Sequence, residues 1–412
     1  MPSVIQHVLI VAGLYSTSVW HVRADELTGT PPPLPIAVST EITADLVNTI
    51  FLFDRLASDP PKAITQNYLV RISDPSAPLY PDYLEYRRGN ISRLQLEDRL
   101  PHVAMLGDSL TQNFHFSSLP GSFWRARTEW RKNWFLDTDP SRGSIFSVYE
   151  RLEYFTPLVA TEYNGAGALV VPRGSQEDLR KRLVRARNLP GQVSHLLRGT
   201  RFPDLIMVWI GHNNLDWVHG LRSEERQHPE ANLQAIAAQV RVSYTESLQR
   251  LIDRAKVENH RLAIVVFGVA NIDAYLKGRR KAEILHAEDP KLYPHFNSGI
   301  RSFESLEPPY QRNMARLALM INFGLRAMVA DLRRQLSSIP NVRIEYSEAL
   351  TKVDFSQLAL INPVDGWHPS PEAHKVLAQA AFNALDPSLV FLRIAGKPTK
   401  KPRLLVSNHK GR

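Results

Sequence analysis

Three short segments of this 412-residue chain carry side chains whose types and spacing suit acyl chemistry. The first is Leu106-Gly107-Asp108-Ser109-Leu110-Thr111, placed where a β-rich run ends and a turn should begin. A serine there sits at the carboxyl edge of a sheet, facing a crevice, with backbone N–H groups beside it for an oxyanion. Alone, the stretch also reads as a Gly-Asp turn capped by Ser, and four fixed letters arise by chance in about one chain in a hundred of this length. The second is Ile210-Gly211-His212-Asn213-Asn214, in which Gly211 permits a sharp turn and the Asn213 amide can donate N–H to a developing negative charge. The third is Asp365-Gly366-Trp367-His368-Pro369. Here the carboxylate can fold back onto one ring nitrogen of His368 and leave the other as a general base.

Elements able to position these segments are visible in the patterning. Short β-rich runs at 102–106, 157–163, 204–210, 262–267 and 342–346 alternate with longer amphipathic stretches, the order expected of a parallel sheet covered by helices. Leu233, Ile236, Val240, Tyr244, Leu248, Leu251 and Ile252 predict a helix over 232–256 with one buried stripe. Met314, Leu317, Leu325, Met328 and Leu332 predict another over 312–336. Ser370 as N-cap, Pro371 at the first helical position and Glu372 in the first turn open a last helix running to Leu385.

In this order and on these elements, the chain resembles the GDSL esterase/lipase family, the SGNH hydrolases, from residue 103 to about residue 385. The resemblance implies an α/β class, three-layer α/β/α, flavodoxin-like fold with a parallel sheet of about five strands and insertions. It also implies a serine esterase that cleaves carboxylic esters through an acyl-enzyme, with no metal or organic cofactor. Carried over by motif, Ser109 is the nucleophile, His368 the base and Asp365 its orienting partner. Asn213 and the Ser109 N–H belong to the oxyanion hole, with Gly167 from the segment 164–168 as the family's glycine and Gly165 in reserve. Asn214 stands where the family commonly has Asp, and a long segment precedes Ser109, unlike compact members. His115, His212 and His374 fit no motif position and are read as surface or packing residues.

Composition bounds the alternatives. With 43% hydrophobic and 22% charged residues the chain can build a sizeable core, which excludes wholesale disorder. Cys is absent, so disulfides, a thiolate nucleophile and Cys-ligated metals are excluded. No His-Glu-x-x-His helix or Gly-x-x-x-x-Gly-Lys loop points to a metal or nucleotide. Of the net charge of +9, six units lie in residues 397–412, so the charge marks a solvated basic tail rather than a nucleic-acid reader. The stretch 8–20 is apolar and is followed by Val22 and Ala24, which suits a signal peptide over 1–24 and a secreted or periplasmic protein, although no Lys or Arg precedes it. A cytoplasmic protein with a buried first strand is the alternative. Residues 25–100 form a Pro-containing linker and N-terminal extension, 101–395 the hydrolase domain and 396–412 the tail. Two stretches read as insertions. Residues 123–135 interleave aromatic and basic residues, best explained as a packed amphipathic helix, with base stacking along a single strand and membrane or polysaccharide contact as the alternatives. Residues 275–310 are polar and are expected to shape the pocket of a small-molecule or lipid ester. Rival functions are a non-catalytic lipid- or polysaccharide-binding protein on the same scaffold, a sugar O-acetylesterase or an acyltransferase.

Overall fold

The computed structural model describes residues 68–69, 72–112, 133–137, 145–153, 155–165, 167–171, 188–199, 201–215, 229–293, 308–363 and 365–394. Five parallel strands, β1 (His102–Gly107), β2 (Val159–Glu162), β3 (Leu205–Trp209), β4 (Leu262–Phe267) and β5 (Val342–Ser347), form one sheet in the order β2-β1-β3-β4-β5. All four neighbouring pairs are parallel. Every residue of β1, β3 and β4 is buried, as an apolar run must be when helices cover both faces of a parallel sheet. The outer strand β5 is only partly buried. Each expected strand is present, trimmed or extended by one or two residues at its ends.

The described helices are α1 (Tyr80–Arg87), α2 (Arg93–Glu97), α3 (Val148–Glu153), α4 (Leu189–Arg198), α5 (Pro229–Val257), α6 (Ile272–Glu288), α7 (Pro308–Gln335), α8 (Pro371–Asn383) and α9 (Asp386–Leu392). They lie on both sides of the sheet, which makes a three-layer α/β/α fold. The stripe expected on α5, from Leu233 to Ile252, is buried, as are Met314, Leu317, Leu325, Met328 and Leu332 of α7. Ser370 caps α8, its side chain accepting the Ala373 N–H at 3.1 Å. Among the described residues no helix is long and apolar enough to cross a membrane.

Strand β2 is at one end of the sheet yet is buried throughout, because a satellite cluster of Tyr68, Ile72, Leu96 and Leu100 packs on Val159. Part of the N-terminal extension, α1 and α2 included, is therefore folded against the sheet. The stretch 275–310 begins as helix: α6 is N-capped by the Asn271 side chain, and residues 294–307 lie outside the described set. Most of 123–135 also lies outside it. Its end, Asn133 to Phe135, is not helical, and Trp134 and Phe135 are fully buried, Trp134 edge-on to Trp209 and Phe267.

Candidate active site

In a 2-1-3-4-5 sheet the connections leave β1 and β3 in opposite directions, opening a crevice beyond their carboxyl ends. Ser109 and Asn213 follow those two strands. Ser109 opens a 3₁₀ turn, Ser109–Thr111, capped by Asp108, whose Oδ1 accepts the Leu110 N–H at 3.0 Å. The other oxygen, Oδ2, accepts the Gly211 and His212 N–H groups, each at 3.3 Å, and contacts His212 Nδ1 at 2.8 Å. Because the Ala270 N–H donates to His212 Nε2 at 3.1 Å, the imidazole proton is on Nδ1, which donates to Asp108. Asp108 and His212 thus tie the ends of β1, β3 and β4 together. His212 is a buried, hydrogen-bonded tie and not a surface residue.

Other bonds fix the serine turn. The Gln192 side chain of α4, fully buried, accepts the Gly107 N–H at 3.0 Å and donates to its carbonyl at 2.7 Å. Nothing in the local sequence marked it. Gly165 also donates its N–H to the Gly107 carbonyl, at 3.1 Å, extending the ladder between β1 and β2. Its N–H is therefore committed. Ala168 N–H closes a turn onto the Gly165 carbonyl at 3.1 Å, with Gly167 at its third position and φ +70°, where a side chain would be strained. The turn bond does not use the Gly167 N–H.

Asn213 donates from Nδ2 to the Ala168 carbonyl at 2.9 Å, which ties the amide to the segment of Gly167, and among the described residues its second Nδ2 hydrogen has no acceptor. Gly211, with φ +130°, provides the sharp exit from β3, and Tyr244 of α5 donates to the Ile210 carbonyl at 2.8 Å. Asn214 is fully buried and accepts the Val170 N–H through Oδ1 at 2.7 Å. The carbonyl half of the amide can make this bond just as a carboxylate would.

The third segment is a loop closed by an isolated antiparallel bridge between Ile361 and Pro369, just before α8. Asp365 Oδ1 accepts the Trp367 and His368 N–H groups at 2.9 and 3.0 Å, and Oδ2 contacts His368 Nδ1 at 2.5 Å. Both side chains are buried. With the proton on Nδ1 shared toward the carboxylate, Nε2 is the basic nitrogen. Tyr275 of α6 donates to the Trp367 carbonyl, and burial, then the fields of Asp365 and Asp108, push its hydroxyl far above the ordinary range. Because α6 starts just beyond the carboxyl end of β4, the Tyr275 bond holds the Asp365–His368 loop near the carboxyl ends of the strands.

Ser109 is 7% exposed, and among the described residues its Oγ and N–H make no hydrogen bond. The link from Ser109 to His368 is thus not closed in this structure. His374, one turn into α8, is fully buried and accepts the Trp134 N–H at Nδ1, at 3.2 Å. Burial, reinforced by neighbouring His368, pulls its imidazole down to about 3. It is a packing residue, while His115 lies outside the described set. Among the described residues no group of three or more His, Asp or Glu is arranged to hold a metal.

Comparison with known proteins finds a match between residues 103–381 and the family described as GDSL-like Lipase/Acylhydrolase. A solved structure, described as a carbohydrate esterase whose active site has divergent catalytic and non-catalytic binding functions, is similar at 13% identity and a TM-score of 0.37. The likeness covers 71% of this chain and 66% of that one, just under two thirds of its length. A second solved structure is similar at 13% identity and a TM-score of 0.32, covering 70% of this chain and 97% of the other. No curated protein matches.

Proposed function

Because the chain belongs to the GDSL-like lipase/acylhydrolase family, we propose that it hydrolyses carboxylic esters through a covalent acyl-enzyme on Ser109. The observation that carries the mechanism is the buried contact of 2.5 Å between Asp365 Oδ2 and His368 Nδ1. It holds the ring in the tautomer a general base needs. His368 Nε2 takes the Ser109 hydroxyl proton as Oγ attacks the ester carbonyl. The negative charge that develops on the carbonyl oxygen meets the Ser109 N–H, the Gly167 N–H and the spare Nδ2 hydrogen of Asn213. Gly165 is not a donor in this scheme, since its N–H is held by Gly107. His368 then protonates the leaving alcohol, and water attacks the acyl-enzyme by the same route in reverse. The hydrogen bond from Ser109 to His368 closes when substrate fills the crevice, a tightening common in catalytic sites.

The test is a panel of esters varied in acyl length and in alcohol, turned over by the parent and by Ser109→Ala. We expect short acyl esters to be cleaved and the variant to lose about 10³-fold or more in kcat. Equal rates for parent and variant would overturn the assignment. Salt-dependent binding of nucleic acid is not expected, since six of the nine units of net positive charge lie in residues 397–412.

A further inference from the structure

At the opposite pole of the sheet, the amino-terminal ends of the strands border a cleft of about 530 Å³. His102 begins β1, Asp204 immediately precedes β3 and Arg261 immediately precedes β4, so this cleft is separate from the crevice beyond Ser109 and Asn213. Its volume is within the range that holds a small molecule.

We propose that this cleft is a second binding site, for a small oxyanion of carboxylate or phosphate chemistry. Most of the charges around it are already matched. Arg201 Nε lies 3.1 Å from Asp98 Oδ1, and Arg254 Nε 2.9 Å from Glu258 Oε1. Asp204 accepts the His102 N–H at 2.7 Å through Oδ2 and contacts His260 Nε2 at 3.3 Å through Oδ1. One cation is left over: among the described residues the Arg261 guanidinium has no ion pair or hydrogen bond, and only the Phe391 ring lies 5.9 Å beneath it.

Among the described residues, two buried nitrogens are also unsatisfied. Arg201 Nη1 makes no hydrogen bond, its ion-pair contact with Glu97 Oε2 being 3.8 Å long. His102 is 4% exposed, and its Nδ1 has no partner, while Nε2 contacts Thr161 Oγ1 at 2.8 Å. With the threonine hydroxyl donating to Nε2, the imidazole proton sits on Nδ1 as a buried donor. Burial, then the field of Arg201, pulls His102 down to about 3, so the ring adds a hydrogen bond and no charge. Burial also lowers His260, but its bonds to Asp204 and the Pro203 carbonyl outweigh that and raise it. Buried donors without acceptors are costly, and a guanidinium with no counter-charge invites an anion. All three residues line the cleft, where the Arg261 guanidinium offers the counter-charge an oxyanion would take.

Calorimetric titration of the full-length protein with inorganic phosphate, and separately with acetate, tests this site. We expect saturable binding of at least one anion, equally by the parent and by Ser109→Ala. Arg261→Gln should weaken it about tenfold or more while leaving ester turnover and thermal midpoint unchanged. Should that variant lose its fold, Arg261→Lys, which keeps the charge but not the planar fork, is expected to bind measurably more weakly than the parent. No saturable binding of either anion, binding abolished by Ser109→Ala, or a folded Arg261 variant that binds like the parent would overturn the proposal.

Discussion

At the scale of single residues, the proposed chemistry depends on groups held by bonds that leave one atom spare. Asn213 gives one Nδ2 hydrogen to the Ala168 carbonyl and keeps the other, so its replacement removes both a tie and a donor. Asn213→Ala is expected to lower kcat about 10²- to 10³-fold with a much smaller change in KM, because the donor acts on charge present only in the transition state. Steady-state kinetics on one cleavable ester check this; a rise in KM at unchanged kcat would mean that Asn213 merely binds substrate. Ser109, Asn213, Asp365 and His368 stood out as candidates in the sequence because each sits in a short run with a recognisable neighbour. Asp108 and His212 stood inside those runs, yet their bond joins residues 104 positions apart in the chain. Spacing along the chain cannot reveal such a partner. Gly167 stood ahead of Gly165 in the sequence only by resemblance, and the structure adds that the Gly165 N–H is held by the Gly107 carbonyl.

At the scale of elements, the end of β2 carries an unusual load. Glu162 is buried there, its Oε1 accepting from Asn133 Nδ2 at 2.8 Å. Burial pushes its carboxyl up to about 8, and the hydrogen bonds of Asn133 and Asn164 offset only part of that. Between its ordinary value of 4.5 and about 8, the folded chain therefore holds a proton that the unfolded chain releases. Stability from the neutral carboxyl is full below the lower value and is lost as pH rises through the upper one. His374 works in the opposite sense: its stability is present above 6.5 and is lost as pH falls toward about 3. Urea unfolding of Glu162→Gln at several pH values should show a flatter alkaline limb, with a gain over the parent near pH 8 on the order of a few kcal/mol. Identical pH slopes for the two proteins would contradict it. Strands and long helices were readable from periodicity, since β1, β3 and β4 are unbroken apolar runs and α5 has a regular stripe. The helix α6 in the stretch after β4 was not legible because it buries few residues, Tyr275 and Arg279 among them, beneath a mostly polar surface. Its composition looks like that of a loop.

At the scale of the whole molecule, the sheet is completed from outside the family's span. The matched residues begin at Val103, but Leu96 and Leu100, before that point, cover Val159 of β2. Leu96→Ala is expected to cost about 2–5 kcal/mol, read as a lower midpoint in chemical unfolding, because it opens a cavity beneath a fully buried leucine. A change within about 0.5 kcal/mol would mean that the extension packs loosely. The extension's packing was hidden in the sequence because α1 has no buried residue of its own and α2 is only five residues long. Neither supplies a periodic stripe.

The central claim is that Ser109 becomes covalently acylated. An active-site-directed alkyl fluorophosphonate, followed by intact-mass and peptide-mapping mass spectrometry, tests it most directly. One phosphonyl group per chain is expected, on the peptide containing Ser109, with ester turnover lost in proportion and no labelling of Ser109→Ala. Full turnover in an unlabelled protein, or a label on another residue accompanying the loss of activity, would contradict it.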